Sequence, residues 1–145
     1  MVSYSDIVQA QKKIQGKINK TPVLTSRTLN ERIGSTCFIK CENFQKTGTF
    51  KFRGVCNKLS QLSSDEKNRG VITHSSGNHA QAVAFAARIL KIKAVVVMPA
   101  NAPLVKVNAV MGYGAKIIRS ENTMKSREEV CSNLINEHGY TRNTN

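Results

Sequence analysis

A regular alternation of short apolar segments with longer helical ones fills the second half of the chain, from Gly70 onward. The pattern predicts strands at 71–73, 94–98 and 115–118, and helices at 78–91, 103–111 and 124–138. Strands separated by helices of this length form βαβ units, because a parallel connection needs a crossover of about a dozen residues or more. The sequence therefore predicts an α/β fold, with a parallel sheet covered by helices.

The first 69 residues give a less regular pattern. Polar capping residues before apolar runs, and Gly or Pro after them, mark the ends of helices. The expected elements are a helix capped by Ser5 and Asp6 that ends at Thr21-Pro22, a short helix capped by Thr25 or Ser26 and stopped by Gly34, a strand over 36–41, and a helix over 50–62. No repeat or low-complexity segment interrupts the chain.

The chain is strongly basic, with 22 Lys and Arg against 9 Asp and Glu and a net charge of +13. Such a charge is typical of nucleic-acid-binding proteins, which also carry basic runs or aromatic stacking platforms. Here the basic residues are scattered from Lys12 to Arg142, Trp is absent and aromatic residues make up 6%. We therefore expect no nucleic-acid partner, with a non-catalytic basic binding module as the alternative reading.

Four cysteines, Cys37, Cys41, Cys56 and Cys131, are too few and too irregularly spaced for a disulfide framework. Cys37 and Cys41 would share one face of the strand over 36–41, but no second Cys or His pair completes a metal site. The start of the chain lacks a secretory apolar segment, and no stretch approaches the roughly 18 apolar residues of a membrane span. We expect a cytoplasmic protein with no metal ligands in this sequence and no membrane contact.

One lysine stands between two phenylalanines in the segment Lys46-Thr47-Gly48-Thr49-Phe50-Lys51-Phe52-Arg53-Gly54. Aromatic neighbours on both sides favour a lysine side chain that is kept away from water. Burial lowers the pKa of an amine because it disfavours the ammonium form, and the free amine then forms a Schiff base with a carbonyl. Lys51 is thus a candidate nucleophile; the alternative is an ordinary surface lysine at the start of a helix.

A polar segment, His74-Ser75-Ser76-Gly77-Asn78-His79-Ala80-Gln81, connects the first regular strand to an Ala-rich helix. A helix that follows a parallel strand directs its unpaired N–H groups and its positive dipole end out of the sheet edge, where an anion binds. Ser75, Ser76 and Asn78 add polar groups, and Gly77 lets the backbone approach a ligand closely. The segment is either a site for a carboxylate or phosphate, or a plain helix cap made by Ser76 or Asn78.

Together, the two segments resemble the fold-type II pyridoxal-phosphate enzymes of the serine racemase and serine/threonine dehydratase family. Residues 46–54 resemble that family's Schiff-base motif and 73–81 its asparagine loop, and Glu42-Asn43-Phe44-Gln45 and Thr21-Pro22-Val23-Leu24 match as well. The resemblance extends over about residues 4–139. It implies a three-layer α/β fold with parallel sheets, similar to tryptophan synthase β, and a pyridoxal-phosphate-dependent lyase or isomerase acting on serine or threonine.

The resemblance also implies roles for individual residues. Lys51 would carry pyridoxal 5'-phosphate as a Schiff base and act as a catalytic base, with Phe50 against the cofactor and Asn78 on its ring hydroxyl. Ser76 would be the second acid/base, on the opposite face of the cofactor, which favours racemisation alongside elimination. The residues that would bind the carboxylate of the amino acid are Ser75, Ser76, Gly77, Asn78 and His79.

Further ligands and a homodimer are implied for the full-length enzyme. Thr25, Ser26, Arg27 and Tyr113 lie where the family's nucleotide site is expected, which makes ATP a candidate ligand, although a Thr-Ser pair before a helix is also a usual cap. The family's divalent-cation carboxylates and its Gly-rich phosphate loop come later than this sequence extends. A β-replacement enzyme such as a cysteine synthase is the alternative within the cofactor class, but its motifs differ around the lysine and the asparagine loop.

The sequence is predicted to be the N-terminal part of a longer enzyme. Residues 1–69 would open the large cofactor-binding domain, 70–139 would form most of the small α/β domain, and 140–145 would be a polar tail outside the family pattern that cannot continue the core. Apolar faces of the first segment would then be exposed. We expect the 145-residue chain alone to be aggregation-prone and to lack lyase activity.

Overall fold

The computed structural model of the protein describes residues 1–144; Asn145 lies outside the described residues. Two 3-10 turns, Glu42–Phe44 and Lys46–Gly48, precede the third helix. In chain order the helices and strands are α1 (Tyr4–Ile14), β1 (Val23–Leu24), α2 (Arg27–Ile33), β2 (Ile39–Lys40), α3 (Lys51–Ser60), α4 (Ser64–Arg69), β3 (Val71–His74), α5 (Asn78–Leu90), β4 (Ala94–Pro99), α6 (Leu104–Gly112), β5 (Lys116–Ser120), α7 (Met124–His138) and β6 (Thr141–Arg142).

A four-stranded parallel sheet, in the order β5-β4-β3-β6, forms the centre of the second half. Successive side chains on β4 point to opposite faces, as the period of two requires. Val96 and Met98 pack on the side of α5 and α6, whereas Val95 and Val97 pack with Cys131 of α7. The predicted three-layer α/β arrangement is therefore confirmed, with helices on both faces of a parallel sheet.

Helix α3 joins the first half of the chain to this core by packing on α5. Phe52 and Leu59 of α3 are fully buried in the main hydrophobic cluster, and the Phe52 ring lies 5.6 Å from the ring of Phe85 on α5. Alanine lines the buried faces of α5, and its small side chain lets neighbouring helices approach closely. This packing therefore holds Lys51 and the rest of the first turn of α3 in place relative to α5.

The C-terminal segment differs from the sequence prediction. Residues 140–145 were expected to form a polar tail that cannot continue the core, but Thr141 and Arg142 pair in parallel with Val71 and Ile72 of β3. Asn143 is buried, and its N–H donates to the Ile72 carbonyl at 2.8 Å. The prediction was wrong because a sheet edge is extended by backbone hydrogen bonds, which do not require apolar side chains.

Two expectations for the first half also need correction. Helix α1 begins after Ser3, which forms a capping box with Asp6, and it ends at Ile14 rather than at Thr21-Pro22. The strand expected over 36–41 is reduced to β2, which pairs antiparallel with β1 outside the parallel sheet. Cys37 and Cys41 therefore do not share a strand.

The antiparallel pair of β1 and β2, with the residue before β2, presents apolar side chains to solvent. Val23, Leu24, Phe38 and Ile39 are all more than two-fifths exposed. An isolated two-stranded sheet is at best marginally stable in water, so this pair depends on tertiary contacts. The exposure expected for apolar residues of the first segment is thus seen in the structure.

A carboxylate–guanidinium pair fixes the start of α3 to the segment before it. Arg53 Nε and Nη2 donate to the two carboxylate oxygens of Glu42, each at 2.8 Å, and the Thr21 hydroxyl donates to Glu42 Oε1 at 2.7 Å. Two-point contacts between these charged groups are stronger than neutral hydrogen bonds. The hydrogen bond from Arg53 is the main reason that the pKa of Glu42 falls from 4.5 to about 2.

We predict that Glu42→Gln lowers the free energy of unfolding by about 1.5–3 kcal/mol at pH 7, because a bond to a charged partner is lost. The carboxylate's stabilisation is fully present above its ordinary pKa of 4.5 and is lost as the pH falls toward 2. Denaturant titrations across this range should show the wild-type advantage shrinking. Glu31→Gln, in the exposed Arg27 pair on α2, is the matched control and should change stability by less than about 0.5 kcal/mol.

The two phenylalanines beside Lys51 offer a second stability test. Phe52 is 0% exposed and Phe50 is 61% exposed. Phe52→Ala should cost about 3–5 kcal/mol, since it leaves a cavity between α3 and α5. Phe50→Ala should cost less than about 1 kcal/mol, because little apolar area is buried there. Equal losses in urea unfolding would contradict the packing described for α3.

Candidate active site

The backbone before Lys51 contains two consecutive residues in the left-handed region. Thr47 has φ +62° and Gly48 has φ +66°. Gly48 adopts this conformation without steric penalty, but a β-branched threonine does so only under strain. Gln45 anchors the segment, because its side-chain amide exchanges hydrogen bonds of 2.9 Å with the backbone N–H and carbonyl of Asn19. The chain is thereby turned sharply into α3.

Lys51 is the first residue of α3, and its N–H donates to the Thr49 hydroxyl at 3.4 Å. Its side chain is half-buried, with Nζ 5.5 Å from the centroid of the Phe50 ring. The sequence suggested a lysine shielded from water by two aromatic rings. Phe52 is buried in the core against Phe85, whereas Phe50, the ring nearest Nζ, is at the surface.

A cavity of about 500 Å³ opens beside Lys51. Volumes of about 300–1,000 Å³ are typical of sites for small ligands and cofactors. The cavity lies against the first two turns of α3, the start of α5 and the residues after β6. Its lining consists of Phe50, Lys51, Gly54, Val55, Lys58, His79, Asn143 and Thr144.

His79, in the first turn of α5, forms the inner wall of this cavity. Its side chain is buried, with the residue only 5% exposed, and it hydrogen-bonds to the backbone of Asn143. Among the described residues its Nε2 has no hydrogen-bond partner. Burial is the main reason that the pKa of His79 is lowered, because it disfavours the charged imidazolium.

The loop between β3 and α5 leaves the start of the helix open. Ser75 N–H donates to the Val97 carbonyl at 3.1 Å, and Gly77 N–H donates to the Ser75 hydroxyl at 3.3 Å. Gly77 is the N-cap, and no side chain in the described part of the chain caps α5. The alternative reading of Ser76 or Asn78 as a plain cap is therefore wrong. The first N–H groups of α5 are left without a side-chain acceptor, as an anion site requires.

The structure places three of the predicted site residues on one cavity and four beside it. Lys51, Phe50 and His79 line the cavity itself. Ser75, Ser76, Gly77 and Asn78 lie in the loop and helix start immediately before His79, outside the lining. The side chain of Ser76 is half-buried, and Asn78 is exposed.

Two contributors were missed by the sequence analysis. Asn143 lines the cavity because β6 continues the sheet, whereas the sequence predicted a tail there. Lys106, in the first turn of α6, donates from Nζ to Asn78 Oδ1 at 3.0 Å. The predicted order of strands and helices could have indicated Lys106, because α5 and α6 follow neighbouring parallel strands, whose carboxyl ends share one edge of the sheet.

Three of the four residues predicted to bind a nucleotide make contacts within the chain. The Ser26 hydroxyl caps α2 by accepting the Leu29 N–H at 3.3 Å, and Arg27 pairs with Glu31 at 3.1 Å on the same helix. The Tyr113 ring packs on Phe85, with centroids 4.9 Å apart. Thr25 is exposed.

Within residues 1–144 no group of three or more His, Cys, Asp or Glu side chains is arranged to hold a metal ion. No helix in the same range combines the length and the apolar character needed to cross a bilayer.

A three-layer α/β unit with a lysine on a cavity beside an uncapped helix start is an arrangement that suits an enzyme with an aldehyde cofactor and an anionic substrate. A family profile described as pyridoxal-phosphate dependent enzyme matches residues 14–143. The chain belongs to this family.

Relatives and structures similar to the chain agree with the fold. The chain is 49% identical to L-threo-3-hydroxyaspartate ammonia-lyase of Saccharomyces cerevisiae, over 95% of this chain and 42% of that protein. Serine racemase from Dictyostelium discoideum superimposes with a TM-score of 0.93 and 45% identity, over 99% of this chain and 47% of that one. A threonine deaminase from T.th. does so with a TM-score of 0.89 and 40% identity, over 99% and 45%. The fold is thus that of the fold-type II enzymes, and the chain spans less than half the length of these relatives.

Proposed function

We propose that this chain is the N-terminal part of a pyridoxal-phosphate-dependent enzyme that racemises hydroxy amino acids such as serine or threonine, or releases ammonia from them. The observation that carries the proposal is the position of Lys51 on a cavity shared with the first turn of α5. The similar proteins include a serine racemase, a threonine deaminase and a hydroxyaspartate ammonia-lyase.

The residues around the cavity fit the cofactor. When bound, the cofactor supplies an electron sink that stabilises negative charge on the α-carbon of the amino acid. Lys51 provides the amine that holds the cofactor through its aldehyde, and Phe50 provides an apolar surface for the ring. Asn78, at the start of α5 outside the lining, would donate a hydrogen bond to the ring oxygen. The 61% exposure of Phe50 agrees with this role, since the ring is free to pack against a ligand.

The loop between β3 and α5 binds the carboxylate of the substrate in this proposal. Backbone N–H groups at the start of α5 and the positive end of its dipole attract an anion. The uncapped state of α5 supports this role, because the donors are not used by a side chain. The binding residues are Ser75, Ser76, Gly77, Asn78 and His79.

Lys51 and Ser76 are proposed to carry protons on opposite sides of the substrate. Lys51 removes or returns the α-proton on one side, and the Ser76 hydroxyl does so on the other. A pair of this kind allows the configuration of the α-carbon to be inverted, whereas a site with one base is better suited to elimination alone, in which the substrate loses its α-proton and its hydroxyl group as water. The Ser76 hydroxyl is not used as a cap, which leaves it available for this role.

The remaining properties belong to the whole protein. We propose that residues 1–69 open the large domain and 70–139 form most of the small one. The whole protein is a cytoplasmic homodimer that binds ATP near Thr25, Ser26, Arg27 and Tyr113, and takes a divalent cation through carboxylates beyond this sequence. The 145-residue chain alone lacks turnover, because its site is incomplete.

Cofactor labelling tests the assignment of Lys51. The purified chain is incubated with pyridoxal phosphate, its visible absorbance is recorded, and it is reduced with borohydride and mapped by peptide mass. We expect an absorbance band and a pyridoxyl label on Lys51, because this amine faces the cavity beside an anion-binding helix start.

Lys58 provides the matched control, since it lines the same cavity two turns further along α3. Lys51→Ala should abolish the band and the label, whereas Lys58→Ala should retain both. A label spread over many surface lysines, or no band at all, would show that the chain does not form the proposed cofactor site.

A further inference from the structure

A lysine from a neighbouring helix contacts the first residue of α5. Lys106 lies 28 residues after Asn78, and its Nζ is 3.0 Å from Asn78 Oδ1. The two helices follow β3 and β4, which are adjacent parallel strands. The start of α6 therefore lies beside the start of α5, at the sheet edge that carries the proposed site.

The placement of Lys106 is unfavourable for α6 itself. A cation in the first turn of a helix faces the positive end of the helix dipole, which costs about 0.3–1 kcal/mol. The first turn of α6 contains no acidic residue to offset it. The side chain of Lys106 is nevertheless half-buried and directed toward Asn78. We therefore look for the role of Lys106 in its hydrogen bond to the Asn78 side chain.

The contact fixes the orientation of the Asn78 amide. A primary amide has one oxygen, which accepts, and one nitrogen, which donates two hydrogen bonds. With Oδ1 held by the Lys106 ammonium group, Nδ2 is directed away from Lys106 and keeps both donors for another partner. A cationic donor on the oxygen also polarises the amide, which strengthens the bonds that Nδ2 makes.

We propose that Lys106 is a positioning residue that presents Nδ2 of Asn78 to the ring oxygen of pyridoxal phosphate. The inference rests on the proposed function, which assigns Asn78 to that oxygen. Lys106 acts through Asn78 and does not touch the cofactor. Its charge also favours the ionised form of the ring oxygen, because it strengthens the donor that faces that oxygen.

The test is a pyridoxal-phosphate titration of the wild-type chain and Lys106→Met, followed by visible absorbance and by the Lys51 label. We expect Lys106→Met to weaken cofactor binding about tenfold, as the loss of one bond to a charged group predicts. The pH midpoint of the visible band should rise, because the ionised ring oxygen loses stabilisation. Lys106→Arg, which keeps the charge and the donor, should restore both. Circular dichroism should show an unchanged fold in both variants.

A double-mutant cycle separates an effect through Asn78 from a direct one. In the Asn78→Ala background, Lys106→Met should have almost no further effect, since the amide that it orients is gone. Lys125→Met removes the same charge from an exposed position on α7, where the side chain is 87% exposed, and should leave binding unchanged.

Each outcome decides between the two proposals. If wild type carries the label on Lys51 but Lys106→Met behaves like Lys125→Met, the role of Lys106 is overturned and the proposed function stands. An equal loss in the presence and absence of the Asn78 amide would also overturn it. If the wild-type chain is not labelled at Lys51, this chain does not form the proposed cofactor site, and the inference about Lys106 falls.

Discussion

The packing of α3 on α5 is the contact on which the candidate site depends. Lys51 is the first residue of α3 and His79 lies in the first turn of α5, and they belong to segments that are far apart in sequence. Burial of Phe52 and Leu59 against the Ala-rich helix holds the two helix starts beside one cavity. Because small side chains on α5 allow this close approach, the alanines of an otherwise plain helix determine where the chemical groups lie.

The site is supported by polar contacts that fix backbone rather than side chains. Gln45 is buried and bonds to Asn19, and the Glu42–Arg53 pair holds the segment before α3 to its first turn. Buried polar groups stabilise a structure only when they find partners, which gives such contacts a defined geometry. Thr47 lies between these two contacts in sequence, and they hold its backbone in the strained left-handed region.

The sequence predicted the regular elements of the second half well, because the strands and helices there have a clear apolar period and polar or glycine residues between them. It also marked Lys51 and the loop before α5 as candidate site residues, since both motifs are continuous in sequence. It failed for β6, whose pairing with β3 depends on the backbone alone, and for β2, whose single partner is another two-residue strand. The Lys106–Asn78 contact could not be read from either motif, because it arises only when two helices start side by side.

The order of the strands explains why the cavity lies where it does. From β3 the chain moves through β4 to β5 on one side of the sheet, and β6 then returns to the opposite side of β3. The carboxyl ends of β3 and β6 therefore lie side by side at one edge of the sheet, which is where ligands bind in open α/β sheets. His79 follows β3, Asn143 follows β6, and both line the cavity beside Lys51. The short polar strand β6 therefore does more than widen the sheet, because its return beside β3 places Asn143 and Thr144 against the cavity.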